Sequence, residues 1–420
     1  MLQSVSNTHE LKVISIRSQF AAAALSAAVA LYGQQAWTKS PEPGNTAQAV
    51  ANDQSAMAPA GQTVVPFELY SGHIYIDVML NGKGPFHFVF DSGALNVLAP
   101  ATAERLGLAS AGKVEASGTG GVQTASITKV DRVEIGDRTM RDQRFYVVQF
   151  PPAGGEGRVI DGLLGFEWLS QFATRIDYSA STLTFYPTKG LSYTGPAKPT
   201  KLHFRGRLAQ IDGMVDGLPG RFSVDTGSNG SLILYPKFVD KNALITRYKA
   251  KTEVMSAVGI GGPVYSLLTR VGEFGIAGQV VAKPVTYITK ARTGASADAE
   301  TAGNIGSGIL RRFTITFDYQ GAQAFFEPNA AFKEPDLADR SGIRANLAPN
   351  GFKVVFVADG SAAMRSGLMQ DDVIVAVNSR PASVIDLASF RSLLKGPAGT
   401  KVSIDLASGK STTLLLSDID

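Results

Sequence analysis

Two short strings in this 420-residue chain carry residue types suited to acid–base chemistry. They are Phe88-Val89-Phe90-Asp91-Ser92-Gly93 and Phe222-Ser223-Val224-Asp225-Thr226-Gly227. Each sets a carboxylate at the end of an apolar strand-like run, followed by a small hydroxyl residue and a glycine. A short acid on a tight turn is aimed with little side-chain freedom, and glycine lets backbone approach closely. Two such carboxylates brought together cannot both ionise, so they share a proton and titrate as a pair. The ionised member can then take a proton from water while the protonated member donates to a carbonyl oxygen. That is direct hydrolysis of an amide with no covalent intermediate.

Something must bring the two acids together, and an internal duplication does so. Asp91 and Asp225 lie 134 positions apart. Four later landmarks recur at an offset of 141: Thr119-Gly-Gly121 with Ile260-Gly-Gly262, Gly162-Leu-Leu-Gly165 with Gly303-Asn-Ile-Gly306, Phe172 to Tyr178 with Phe313 to Tyr319, and Thr184 to Pro187 with Phe325 to Pro328. One small insertion after the second acid accounts for the whole set. Two copies are too few for a solenoid and point to two lobes related by a two-fold axis.

Each copy reads as short strands. Residues 73–80 alternate, Asn81-Gly82 signals a hairpin, and residues 85–90 form the next run into Asp91. Residues 99–108 read as a short helix closed by Gly107. The second copy repeats the plan through residues 210–215, a turn at 217–220 and residues 221–224. Loops 151–157 and 291–300 read as mobile: surface insertions, edges against a substrate, or a self-cleavage site.

Here the residues resemble a known family. The Asp-Ser/Thr-Gly loops, each with a downstream apolar-apolar-Gly turn (Leu163-Leu164-Gly165, and Asn304-Ile305-Gly306 as a departure), are similar to aspartic proteases. Asp91-Ser-Gly-Ala94, Leu163 to Leu169 and the segment 103–108 resemble the retroviral type, here fused as two copies in one chain. Over residues 64–330 the resemblance implies a mainly β fold of two homologous retropepsin-like lobes in a pepsin-like bilobal arrangement. It also implies a catalytic dyad of Asp91 and Asp225 supported by Ser92, Gly93, Thr226 and Gly227. Flap hairpins would close over a bound peptide through Gly120, Gly121, Gly261 and Gly262, with Tyr265 as a flap aromatic.

After residue 330 the character changes. Residues 331–346 read as a linker, and 347–420 as a separate small α+β module. Ala363-x-x-Ser-Gly-Leu368, Asp372-x-Ile374 and Asn378 ahead of a helix at 387–394 resemble a PDZ domain of the bacterial protease type. The segment Ser383 to Asp386 looks like a capping box for that helix. The resemblance implies a peptide, such as a protein C-terminus, bound between the strand 352–357 and the helix, with Gly351, Phe352 and Val354 in the groove and a carboxylate-binding loop near 349–352.

Composition narrows the rest. The chain has no cysteine, which excludes disulfides, thiol catalysis and zinc–thiolate sites. Its four histidines show no ligand spacing, so neither a metal nor a cofactor is expected, and His73 and His87 read as structural or exposed. The net charge of +4 is scattered, which speaks against nucleic acid. Lys12 and Arg17 precede an apolar run at 20–31, short of the roughly 20 residues a membrane span needs. Residues 1–36 therefore read as a signal peptide or membrane anchor, and 37–63 as a disordered spacer. The expectation is an exported, monomeric, cofactor-free aspartic endopeptidase, with lobes at 64–190 and 191–330, acting on peptide or protein substrates. The alternative on the same residues is an inactive protease-like peptide binder or an exported PDZ adaptor.

Overall fold

The computed structural model describes residues 61–150, 157–187 and 191–419. The expected leader, most of the spacer and most of the loop 151–157 lie outside the described residues. The expected spacer ends early, because Thr63 already pairs with Phe185 in a strand, Thr63–Pro66.

The hairpin His73–Leu80 with Lys83–Phe90 turns at Asn81-Gly82, both with positive φ (51° and 75°). This backbone twist matches that of the flanking strands. The second copy turns Leu208–Val215 into Leu218–Val224 at Asp216-Gly217 in the same way (φ 45° and 82°). Both hairpins end buried: Phe88, Val89 and Phe90 in one copy, Phe222 and Val224 in the other. The acids therefore leave their strands inside the molecule. Helix Pro100–Leu106 closes at Gly107 in the left-handed conformation, as read from sequence.

Each lobe is built on its own antiparallel-rich sheet, of eight strands in the first and ten in the second. A third sheet of six strands joins them, in the order Thr63–Pro66, Thr182–Phe185, Thr174–Asp177, Phe313–Asp318, Gln323–Pro328, Thr200–Lys201. At its centre, Thr174 pairs with Phe317, Arg175 with Thr316 and Ile176 with Ile315. Under the offset of 141 this register maps onto itself, so the pseudo-two-fold axis passes between Arg175 and Thr316. One apolar core runs through both lobes and this sheet, from Phe88, Trp168 and Phe185 to Phe222, Phe313 and Phe317.

The C-terminal module has its own core around Phe352, Leu387, Phe390 and Ile404. Its sheet starts at Ile343–Ala348, four residues before the expected domain boundary, and that strand pairs with Gly351–Val357. The segment ahead of it is anchored: Arg312, almost fully buried, donates from its guanidinium to Phe332 O at 3.3 Å and to Glu334 O. Helix Leu387–Leu393 is capped by Asp386, whose side chain accepts from Ser389 N at 2.9 Å. Ser383, read as the cap, instead belongs to a separate 3₁₀ turn, Ala382–Val384. Among the described residues no helix is long and apolar enough to cross a membrane.

Candidate active site

Asp91 follows the strand Lys83–Phe90, whose last three residues run parallel to Gly162–Leu164. Asp225 follows Leu218–Val224, which runs parallel to Gly303–Ile305 in the same register. Each turn is tied down by a backbone bond, from Asp91 N to Leu164 O and from Asp225 N to Ile305 O. Duplicated sequence thus produces duplicated support.

The two loops then lock across the axis. Ser92 N donates to Thr226 Oγ1 (2.9 Å) and Thr226 N donates to Ser92 Oγ (3.0 Å). The hydroxyls pass on the bond, Ser92 Oγ to Val224 O (2.8 Å) and Thr226 Oγ1 to Phe90 O (2.8 Å). All four partners are buried, where such bonds are strong and a broken one is costly. Gly93 N and Gly227 N donate to Oδ1 of Asp91 and Asp225 respectively, at 2.8 and 2.9 Å. Glycine is required at both places. A Cβ on Gly93 would stand 2.7 Å from the Asp225 carboxyl, and one on Gly227 would stand 2.2 Å from Asp91 Cγ.

Each glycine touches the other lobe's acid, so the carboxyls face each other. Both are fully buried. Burial pushes Asp91 well above the usual carboxyl range, and the charge of Asp225 and the hydrogen bond between the two push it further, against the Gly93 and Gly227 amides. Burial also raises Asp225, but there hydrogen bonds from Asn304, Asp91 and Gly227 oppose it. Both carboxyls are thus held above their ordinary range and titrate as one unit, with Asn304 donating to the Asp225 side alone.

Sequence reasoning did not assign four of the side chains around the pair. Asn304 Nδ2 donates to Asp225 Oδ2 at 2.8 Å. His73, read as structural or exposed, is fully buried and close enough to Asp225 to favour its charge. Tyr178 and Tyr319 occupy equivalent places, each directly after a central strand of the interlobe sheet. Burial raises both phenols, and the Asp225 charge acts on each. The recurrence of Tyr at the end of the duplicated segments 172–178 and 313–319 was the available signal for this pair.

The flaps are hairpins Gly112–Gly118 with Gly121–Ile135, and Thr252–Gly259 with Gly262–Arg270. Their tips meet. Gly120 N donates to Ile260 O at 3.0 Å, and Ile260 buries itself in the first lobe's apolar cluster with Tyr75 and Ala116. A Cβ on Gly120 would come 2.1 Å from Gly262 O, and one on Gly261 would come 2.4 Å from Gly121 Cα. Gly120, Gly121, Gly261 and Gly262, expected as flap residues, stand at these two touching tips. The loop 291–300 is pinned rather than loose: Arg205 donates to Asp298 at 2.8 and 2.9 Å, and Gly294 packs on Gly118 O. Tyr265 sits back from the tip, paired in register with Met255, and its ring lies 5.9 Å from Phe356 of the C-terminal module. It joins this hairpin to the module.

The groove residues expected in that module are interior. Phe352 and Val354 are fully buried in its core, and a Cβ on Gly351 would lie 2.0 Å from Ile374 O. Their strand is flanked on both sides; the edge strands of this sheet are Ile343–Ala348 and, at the far side, Ser411–Leu415. Of the expected carboxylate-binding loop, residues 349 and 350 form the turn after Ile343–Ala348, and Gly351 and Phe352 already pair with Ala348 and Leu347. A strand added antiparallel to the Ile343–Ala348 edge would finish beside Ser341 to Ile343. There the amides are already bonded: Ser341 N and Gly342 N donate to Asp339 Oδ1 at 2.9 and 2.7 Å, and Ile343 N to Ser341 Oγ at 3.2 Å. A cavity of ≈ 540 Å³ runs from Ser228 and Asn229, just past Asp225, by Val254 of the second flap to Arg344, Phe390 and Arg391.

Residues 76–168 match the family model for aspartyl proteases, and residues 354–408 match that for PDZ domains. The chain carries an aspartyl-protease-like domain and a PDZ domain. Similar solved structures include a retropepsin-like aspartic protease from Rickettsia conorii, at 22% identity and a TM-score of 0.24, covering 30% of this chain and 91% of that one. Another is an aspartic proteinase from Irpex lacteus, at 13% identity and a TM-score of 0.43, covering 66% of this chain and 99% of that one. No curated protein matches the chain. Among the described residues no cluster of His, Asp and Glu is arranged to hold a metal ion.

Proposed function

We propose that this chain is an aspartic endopeptidase using Asp91 and Asp225 as one acid–base unit. The observation that carries the reading is the pair of buried carboxyls, one from each lobe, brought face to face through Gly93 and Gly227. Ionised Asp225 takes a proton from a water as its oxygen attacks the substrate carbonyl, and protonated Asp91 donates to the carbonyl oxygen. Collapse of the resulting diol returns that proton to Asp91, while the proton held by Asp225 goes to the leaving amine. The closed flaps must open to admit a polypeptide and close again to exclude water.

The PDZ domain in this reading holds an extended internal segment of the substrate along the edge Ile343–Ala348. Two observations favour an internal segment over a C-terminus. Asp339 and Ser341 already use the amides that a terminal carboxylate would need, and the cavity continues from that edge to the residues after Asp225. Export through the N-terminal segment and a monomeric state complete the proposal.

The test is cleavage of unstructured protein with the full chain, with Asp91→Ala and with Asp225→Ala, alongside a peptide mimic bearing a hydroxyl at the scissile position. Either substitution should abolish turnover, and the mimic should inhibit the wild type. Wild-type turnover by either variant would refute the mechanism.

A further inference from the structure

The two lobes repeat each other closely around the acids, and they part at one position that matters. In the first lobe Leu163 pairs in register with Val89; in the second, Asn304 pairs with Ser223 at the matching place. Leu163 is apolar and buried. Asn304 is equally enclosed, at 6% exposure, and its amide is aimed at one acid only, with Nδ2 2.8 Å from Asp225 Oδ2. The orientation of this amide is dictated by the partner, since an ionised carboxylate offers acceptors alone. The outer oxygen of Asp91, Oδ2, accepts from no protein donor, and the amide oxygen of Asn304 is likewise buried without a partner. A buried side chain kept with half its polar groups unmet calls for a reason. Here that reason is the bond to Asp225.

We propose that Asn304 is a positioning residue that breaks the symmetry of the pair, holding Asp225 as the base and leaving the proton on Asp91. This rests on the dyad reading above and adds a direction to it. A near-symmetric pair places its proton on either side with similar ease. A single donor to one carboxylate stabilises the charge on that side, and one hydrogen bond in a water-poor site is enough to order the two states. The unit then begins each cycle with its proton on the same oxygen. Groups that face Asp225 from other elements are Asp91 across the axis, His73, Tyr178, Tyr319 and Tyr235. Replacing Asn304 leaves all of them in place.

The experiment compares the full chain with Asn304→Leu, which installs the first lobe's own residue, and Asn304→Ser, which keeps a short donor. The readouts are the pH profile of kcat/KM and the pH dependence of binding of the hydroxyl-bearing peptide mimic, which needs no turnover. Loss of the donor should move the acidic limb of both profiles upward by about one pH unit, equal to about a tenfold loss on that limb, and Asn304→Ser should restore part of the shift. Circular dichroism establishes that each variant is folded; if the leucine variant is not, the serine variant alone must show a smaller upward shift. Superimposable profiles for wild type and a folded variant would overturn the role of Asn304 while leaving the dyad intact. Undiminished cleavage by the aspartate variants would instead remove the dyad reading beneath it.

Discussion

Ser92 and Thr226 exchange hydrogen bonds across the lobe boundary, each amide donating to the other's hydroxyl oxygen at 2.9 and 3.0 Å. Neither residue reaches a substrate, yet together they set where both acids sit. Thr226→Ala removes an acceptor for Ser92 N and a donor to Phe90 O in one step. Leaving buried partners unmet costs about 1–3 kcal/mol each. The expected outcome is a loss of about 2–4 kcal/mol in denaturant unfolding, with kcat reduced at least tenfold. Thr226→Ser, which retains the oxygen, should recover most of both.

The buried pair makes stability depend on pH in a definite sense. Burial first, then the charge of Asp225, raises Asp91 above its unfolded value. The folded protein therefore holds a proton that the unfolded chain has released. This contribution is fully present below about pH 4, the unfolded value, and is lost as pH rises through the folded value. Asp91→Asn keeps the shape and removes the titration. Its melting temperature should match the wild type's near pH 4 and exceed it at pH 7, while turnover disappears. An equal difference at both pH values would contradict the linkage.

The flap tips cannot close over an added side chain. A Cβ on Gly120 lands 2.1 Å from the Gly262 carbonyl, so backbone must shift. Gly120→Val should leave the fold intact, because both hairpins are held by strand pairing behind their tips. It should lower kcat/KM for peptides about a hundredfold, since water is no longer excluded and the substrate is not clamped. Steady-state kinetics beside a thermal melt separates this from unfolding.

Asp339 offers a test of the PDZ edge. If its carboxylate fills the amide nest, peptides with free and amidated C-termini should bind the full chain with the same affinity, measured by fluorescence anisotropy. Asp339→Ala frees the amides of Ser341 and Gly342 and should create a preference of about fivefold or more for the free carboxylate. A wild-type preference for free C-termini would count against the internal-segment reading.

Much of this architecture is legible from local pattern. The repeated Asp-Ser/Thr-Gly after an apolar run, the turn dipeptide Asn81-Gly82 and the stop at Gly107 each act within a few residues, so their outcome is written in the chain. The constant offset of 141 announced two copies, and the register centred on Arg175 and Thr316 is its consequence. Other features depend on what lies across space. Asn304 reads in one dimension as a flaw in an apolar motif, and only the fold turns its amide onto Asp225. Phe352 and Val354 fall in a strand that sequence alone cannot rank as edge or interior, because alternation is the same in both. Tyr265 has the composition of a lid residue, but the packing of a third domain draws it to Phe356. Chain order thus settled which groups exist and how each turn is made. Assembly settled which of them meet, since hydrogen bonding and charge act over a few ångströms of space, however many residues lie between.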